Sequence, residues 1–572
     1  MVTACGGIRL RDWEHNARRQ TSPRGLALWD ARSGRVLARA DAEGSPDRFF
    51  RIADELSARL IADQFRGRGE QLTHAAAEMT DSLGALKAYL EGESLLRTGD
   101  AVKAVEAYQR AVSEDTTFAL AYYRLSQAST SAGHTSLMHD AAEAAVRHRG
   151  RLSARDQIRV HAWNARLGGD VASAEAAYHR LLHLYPDDLE ATFQLADLLF
   201  HNNPFRGRSA AEARGGLERS LASAPTRREA TDHLAKVYLL EGDSAALQRL
   251  RAHARSDGPD TSLLAWLDAL EAAGRPGRGR DSAVARVRGA GDVHAIMFVW
   301  WAAVYGGAPS ARALAGALLE PDRAPEIRAW GHLTRADLAA GCARWPEATR
   351  ELAHASVFAP LRAAELHGLY STLPWARADR ATLLALRDTL ARWSDARAGA
   401  ESSPPFVEFP PGARELVRIY VSGLLSVRLD DAAAAGRAVQ ALRESRGSVA
   451  ARRYGRALAA GVEAHLLRAR GQPDKALAAL AREPLDWSRD YGPVHFAAHA
   501  HERFLRAELL RETGHPAEAL GWYATLGELA GADAAYLPRA RQARADIYDR
   551  SGKTDLGTRE RLRAARRCSA DQ

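Results

Sequence analysis

The sequence predicts a mainly α protein, a solenoid of helical hairpins behind a small N-terminal α/β piece (a hairpin plus a helix). Three observations predict it. A glycine-centred turn recurs about every 34 residues in the first part of the chain. Apolar and small residues stand at helical spacing on both sides of each turn. One early stretch, "WDARSGRVLARADAEG" (Trp29–Gly44), instead follows the pattern of two short strands around a Ser33-Gly34 turn.

In chain order, residues 1–23 show no periodicity and are expected to be irregular. "VTAC" at Val2–Cys5 looks like a lipoprotein cleavage box, but no charged or apolar signal region precedes it, and it is taken as chance. After Gly44, Ser45 or Asp47 could cap a helix with Phe50, Ala53, Leu56, Leu60 and Ile61 on its inner face. Residues 24–82 are therefore expected to form a strand–turn–strand–helix unit.

The repeats begin at Leu83. In "GESLLRTGDAVKAVEAYQRAVSED" one helix ends at Gly99-Asp100, and the next carries Ala104, Tyr108 and Ala111 on one face. Gly133, Gly169-Asp170 and Gly242-Asp243 mark later copies, with Ala174, Tyr178 and Leu181 repeating the face and Pro186 closing the helix. Glycine supplies the positive φ that a helix C-terminus often needs, and proline cannot continue a helix. Residues 83–256 are expected to form a regular array and residues 257–400 degenerate helical repeats. The Pro-rich "ESSPPFVEFPPG" marks a linker at 401–412, and residues 413–567 resume as repeats. "GRPGRGR" and "GGAPS" are expected to be loops.

The period, the small residues at helix crossings and the closing proline resemble the tetratricopeptide repeat. That resemblance implies stacked hairpins whose first helices, the A helices, line a concave groove. It places Tyr89, Tyr123, Gln127, Arg159, Trp163, Arg166, Phe193, Asp197 and Lys236 on that groove as partner-binding residues. Aromatic and Arg side chains are what binding hot spots favour. The family's carboxylate clamp needs Lys and Asn, whereas the matching positions hold Tyr89, Glu93, Tyr123 and Gln127. "LWDARSGRVL", the following "EG" and "FFRIADELSARLI" resemble the end of a TolB-like α/β domain. The whole layout is similar to the C-terminal half of bacterial serine/threonine kinases and transcriptional regulators. The implied function is a protein-interaction scaffold, or a regulatory and sensing module, in bacterial signalling.

Composition narrows the alternatives. The formal charge is +8, with 46% hydrophobic and 26% charged residues. Arginine supplies nearly all the positive charge, but it alternates with Asp and Glu along most helices, as on solvated helix faces. A nucleic-acid surface needs basic residues gathered on one face, so a nucleic-acid-associated transcriptional regulator component is kept as the alternative and a protein or peptide ligand is preferred. Cys5, Cys342 and Cys568 are far apart and odd in number, suggesting no disulfide framework and fitting a reducing, cytoplasmic setting. No apolar run approaches the length of a membrane span; "VHAIMFVWWAAVYGG" is expected to be a buried helix. No phosphate loop, nucleophile elbow or HExxH motif occurs, so the expectation is no enzyme, no catalytic residue, no cofactor and no metal. The one metal candidate weighed is "HFAAHAHE", where His495 and His499 would stand one helical turn apart with Glu502 beyond them.

Overall fold

The computed structural model describes the backbone of residues 6–10, 22–30 and 36–44, and the chain from 80 to 568 except 98, 224–226, 257–260, 274–276, 307, 395–411, 484, 486–495 and 529–530. It forms two compact units, Met1–Asn164 and Ala165–Gln572. The division falls inside the stretch expected to be one regular array.

The first unit opens with an antiparallel sheet in the order β1-β2-β3: β1 (Gly6–Leu10), β2 (Ser22–Asp30) and β3 (Val36–Gly44). The expected strand pair is present as β2 and β3, with a register shift between Leu28 and Trp29. β1 pairs with β2 from Gly6↔Asp30 to Leu10↔Leu26, inside the segment expected to be irregular. Its pairing is set by a neighbouring strand, which no local period announces. The expected helix Phe49–Phe65 lies outside the described residues.

Helical hairpins follow: α1 (Leu83–Arg97) with α2 (Ala101–Glu114), and α3 (Ala119–Ala132) with α4 (Thr135–Arg147). α5 (Ala154–Leu167) spans the division between the units. The Gly-Asp turn has two separable jobs. Gly99 takes φ +85° to end α1, and the Asp100 carboxylate accepts from the Lys103 N–H at 3.1 Å to cap α2. The same pair recurs in the second unit at Gly169 and Asp170, where φ is +78° and the carboxylate accepts from Ser173 N–H at 3.0 Å. Close helix crossing explains the small residues. A Cβ added at Gly92 would stand 2.6 Å from the Tyr108 ring, and the Tyr108 hydroxyl donates to Glu93 at 2.6 Å.

In the second unit α6 (Val171–Leu184) and α7 (Leu189–Asn202) lead into two short 3-10 turns and α8 (Arg214–Ser223). α9 (Arg228–Glu241), α10 (Ser244–Ser256), α11 (Thr261–Ala273), α12 (Arg278–Gly289) and α13 (Asp292–Trp301) continue the array. The expected loop at "GRGR" is in fact the start of α12, and α14 (Ala308–Gly316) begins within the expected loop at "GGAPS". α15 (Pro325–Gly341) to α18 (Arg380–Ala391) form two further hairpins with α16 (Trp345–Ala355) and α17 (Pro360–Thr372). The rest comprises α19 (Arg414–Arg428), α20 (Ala432–Arg443), α21 (Val449–Ala469), α22 (Pro473–Arg482), α23 (Ala500–Glu512), α24 (Pro516–Ala524), α25 (Leu537–Arg550) and α26 (Thr554–Cys568). The Pro-rich segment does not divide the repeats into separate solenoids, because α17 packs on α19 across it and the buried Glu365 and Arg414 pair at 2.9 Å.

A solenoid repeat ordinarily touches only its neighbours. Here the second unit returns on itself. One core runs from Phe193 to Ile547. Ser209 Oγ and the Ala210 N–H donate to Glu528 at 2.8 and 2.9 Å, and Arg453 donates to the Gly168 carbonyl. Trp522 lies against Gly207, where no Cβ would fit. The returning segment is held by Arg503, which is fully buried. It donates to the Ala498 and Thr525 carbonyls at 2.9 and 2.8 Å and pairs with Asp533, which also accepts from the Gly527 N–H at 2.9 Å. The expectation about cysteines is also corrected: Cys342 and Cys568, 226 residues apart, are joined by a disulfide. Sequence spacing could not show that α26 ends beside the end of α15.

The closure can be tested in three ways. Asp533→Ala leaves the Arg503 guanidinium buried without its carboxylate and should cost about 3–5 kcal/mol in chemical denaturation. Thiol titration of the denatured chain should yield two more thiols per molecule after reduction than before. Burial pushes the Glu528 carboxyl up to about 7. A pKa raised on folding stabilises below the unfolded value and loses that contribution as pH rises through the folded one. Stability should therefore fall between about pH 4.5 and 7, and Glu528→Gln should flatten that region of the melting-temperature profile.

Candidate functional site

The residues expected on the groove divide between the two units. In the first, Tyr89 packs against Tyr108 and Phe118 at ring-centroid distances of 5.8 and 5.2 Å, and burial raises its pKa to about 12. Tyr123 is fully buried, and its hydroxyl accepts from Gln127 Nε2 at 2.8 Å. The Gln127 carbonyl oxygen accepts from Arg124 at 2.8 Å. Trp163 meets Tyr123 edge-on and donates to Ser126 Oγ at 2.8 Å. Arg159 pairs with Asp156 on its own helix. At the clamp-equivalent positions Glu93 is engaged by Arg124 at 2.9 Å. The aromatic residues of this set thus fill the space between helices and offer no open face. Each ring contributes its large apolar area to the packing between helices.

In the second unit Phe193 is buried beneath the Arg227 guanidinium, 4.5 Å from its ring centroid. Arg166 and Asp197 form a buried ion pair at 2.6 Å. Lys236 pairs with Asp232 at 2.5 Å and stands 4.4 Å from the Trp301 ring centroid. The structure also brings in two residues not singled out from sequence. His201 Nε2 and His233 Nε2 each lie 3.3 Å from Asp197 Oδ1 and 2.9 Å from one another. The available signal was Asp197 and His201 four residues apart on one A helix, with His233 on the next. Burial holds the His233 pKa below the ordinary histidine value, against the opposing pull of Asp197.

The "HFAAHAHE" candidate does not assemble as expected. His495 lies outside the described residues. His499 precedes α23 with φ +47°, so it is not on the helix, and its Nδ1 is 3.5 Å from Glu502. Glu502 accepts from the Tyr420 hydroxyl.

A candidate surface lies instead among the later repeats. A groove of about 730 Å³ is walled by α19, α21, α23 and α25 and by the chain just after α17. All five are first helices of their hairpins or run directly from one. Trp375 and Phe504, with ring centroids 5.3 Å apart, form its apolar side. Arg428 and Arg539 are exposed, and among the described residues neither is in an ion pair. Arg539 lies 5.7 Å from the Trp375 ring centroid. Arg468 and Arg511 are held by Glu508 at 3.6 and 3.0 Å. His465 and His501 stack at 4.4 Å in the same wall. Burial carries the His501 pKa down to about 4 and that of His465 well below the usual value. Both rings are therefore uncharged at neutral pH, and the groove's positive charge is carried by arginine alone. This arrangement can seat an apolar side chain against Trp375 with an acidic group beside it.

No family model and no curated protein sequence matches the chain. Among solved structures it is similar to the human IFIT1 dimer with m7Gppp-AAAA, at 10% identity over 86% of this chain and 92% of that one, with a TM-score of 0.25. It is similar to the P58(IPK) TPR domain at 12% identity, over 85% of this chain and 99% of that one, with a TM-score of 0.19. Yeast Tom70 matches at 11% identity over 85% of this chain and 97% of that one, with a TM-score of 0.22. At these values the likeness carries no argument about function. Among the described residues, no helix is long and apolar enough to cross a membrane.

Proposed function

We propose that this chain is a protein-interaction scaffold that takes a peptide or loop of a partner protein into the groove of its later repeats. The observation that carries the reading is the Trp375–Arg539 pair. An amphipathic anchor and an exposed guanidinium face one open groove built from consecutive A helices. Such residues dominate measured binding energies, whereas the buried aromatics of the early repeats have no free face to offer. The early groove set thus serves chiefly to position helices, while Arg166, Asp197 and Lys236 carry charge on the second unit's own helix-A side. The proposed setting, a sensing or regulatory module of bacterial signalling, is supported by the N-terminal strand pair and the repeat layout that resemble the C-terminal half of bacterial kinases and regulators. The cytoplasmic location expected from the scattered cysteines meets a counter-argument in the Cys342–Cys568 bond, since structural disulfides persist mainly in oxidising compartments.

The alternative, a nucleic-acid partner, draws support from the charge of +8. Against it, many arginines are engaged by carboxylates, as Arg214 is by Glu218, Glu241 and Asp243. Fluorescence polarisation against an array of apolar–acidic peptides should find binders. Trp375→Ala and Arg539→Ala should each weaken them about tenfold or more. Unchanged affinity in both variants would remove the groove assignment. Retention on DNA that collapses with modest salt, with no peptide bound, would favour the alternative instead.

A further inference from the structure

We propose that Asp197, His201 and His233 form a binding site for a divalent transition-metal cation, Zn2+ by its donor set. This goes beyond the scaffold reading and does not depend on it. Three potential ligand atoms, Asp197 Oδ1, His201 Nε2 and His233 Nε2, face one another at 2.9, 3.3 and 3.3 Å. Ligands about 2.0–2.1 Å from a tetrahedral zinc ion stand roughly 3.3 Å from each other. The three atoms therefore already enclose one point at bonding distance from all of them.

The supporting contacts match what such a site needs. A metal-bound imidazole ordinarily gives its other nitrogen to a carbonyl or carboxylate, which fixes ring orientation and leaves the facing lone pair for the metal. His233 Nδ1 lies 2.5 Å from the Glu229 carbonyl oxygen. The second Asp197 oxygen is held by Arg166 at 2.6 Å, leaving Oδ1 directed at the two rings. Asp197 and His233 are buried, while the His201 side chain keeps 26% of its exposure, so a fourth ligand can approach from solvent. Phe200 packs edge-on against both rings, at 5.1 Å from His201 and 4.5 Å from His233, and restrains them. Two imidazoles and one carboxylate suit Zn2+ and its first-row neighbours rather than Mg2+ or Ca2+, which prefer all-oxygen sites.

The second His-rich cluster of this unit provides the internal comparison. His332, Glu351 and His354 also gather within metal-ligand reach. There the Glu351 carboxylate is likewise held by an arginine, Arg335 at 2.9 Å, and by His332 Nδ1 at 2.8 Å, but His354 is exposed.

The test is calorimetric titration of the metal-stripped full chain with ZnCl2, with Co2+ absorption as a second readout. The expected result is a binding event with a visible d–d band in the Co2+ form. His201→Ala and His233→Ala should each weaken it by at least about tenfold, since even outer-shell changes reach that range. His354→Ala should leave it unchanged. The His201 side chain is only half-buried, unlike that of His233, so its substitution tests the site with the smaller loss of packing, and circular dichroism checks the fold. The absence of both zinc heat and a cobalt band in the unaltered chain would overturn the proposal, leaving the three residues as a hydrogen-bonded network. Binding that survives His201→Ala but is lost in His354→Ala would equally overturn it, by placing the metal at the other cluster.

Discussion

The structure depends on how closely two helices of one hairpin can approach. At Gly92 the facing Tyr108 ring occupies the space a Cβ would need, and the Tyr108 hydroxyl reaches Glu93 on the opposite helix. A single pair joined this way still has an apolar face exposed, and an isolated hairpin cannot bury it. The next hairpin must cover it, and so on along the chain. Alanines such as Ala104 and Ala174, with no exposure at all, recur for this reason. The turn serves the same constraint. A left-handed glycine stops one helix and a carboxylate starts the next within two residues, so the helices stay close enough to interlock.

What distinguishes the second unit from a simple stack is an added long-range constraint. Arg503 is buried in the returning segment with its donors spent on carbonyls and Asp533. Glu528 ties that segment to the turn after α7, and a disulfide joins the end of α26 to the end of α15. Closing so long a loop is entropically costly, and buried polar groups are tolerated there only because they are paired. The benefit is orientation. The A helices of the later repeats are held at fixed positions around a groove that contains Trp375 and Arg539.

The repeats were legible in the sequence because their determinants are local. Gly99-Asp100 and Gly169-Asp170 carry their capping chemistry in adjacent residues, and Tyr108 and Tyr178 share helical spacing with their alanines. Site residues were less legible. Helix-A position marks one side of a helix, but whether that side is open depends on what the next hairpin places against it. Tyr89, Tyr123 and Trp163 occupy groove positions by register and core positions by packing. Asp197 and His201 stand one turn apart on α7, but only the stacking of α7 and α9 brings His233 to them.

The amino-acid sequence by itself determined the helical hairpins, their period, their turns and the β2–β3 strand pair. Each of these rests on hydrogen bonds and side-chain spacing within a few residues or one repeat. Tertiary structure alone decided the β1 pairing, the return of the second unit upon itself, the Cys342–Cys568 bond, the burial of the early aromatics and the meeting of Asp197 with two histidines. The first and the last two depend on what the neighbouring strand or hairpin supplies, and the return and the disulfide on how the stacked repeats carry distant segments together. Neither is encoded within a single stretch of sequence.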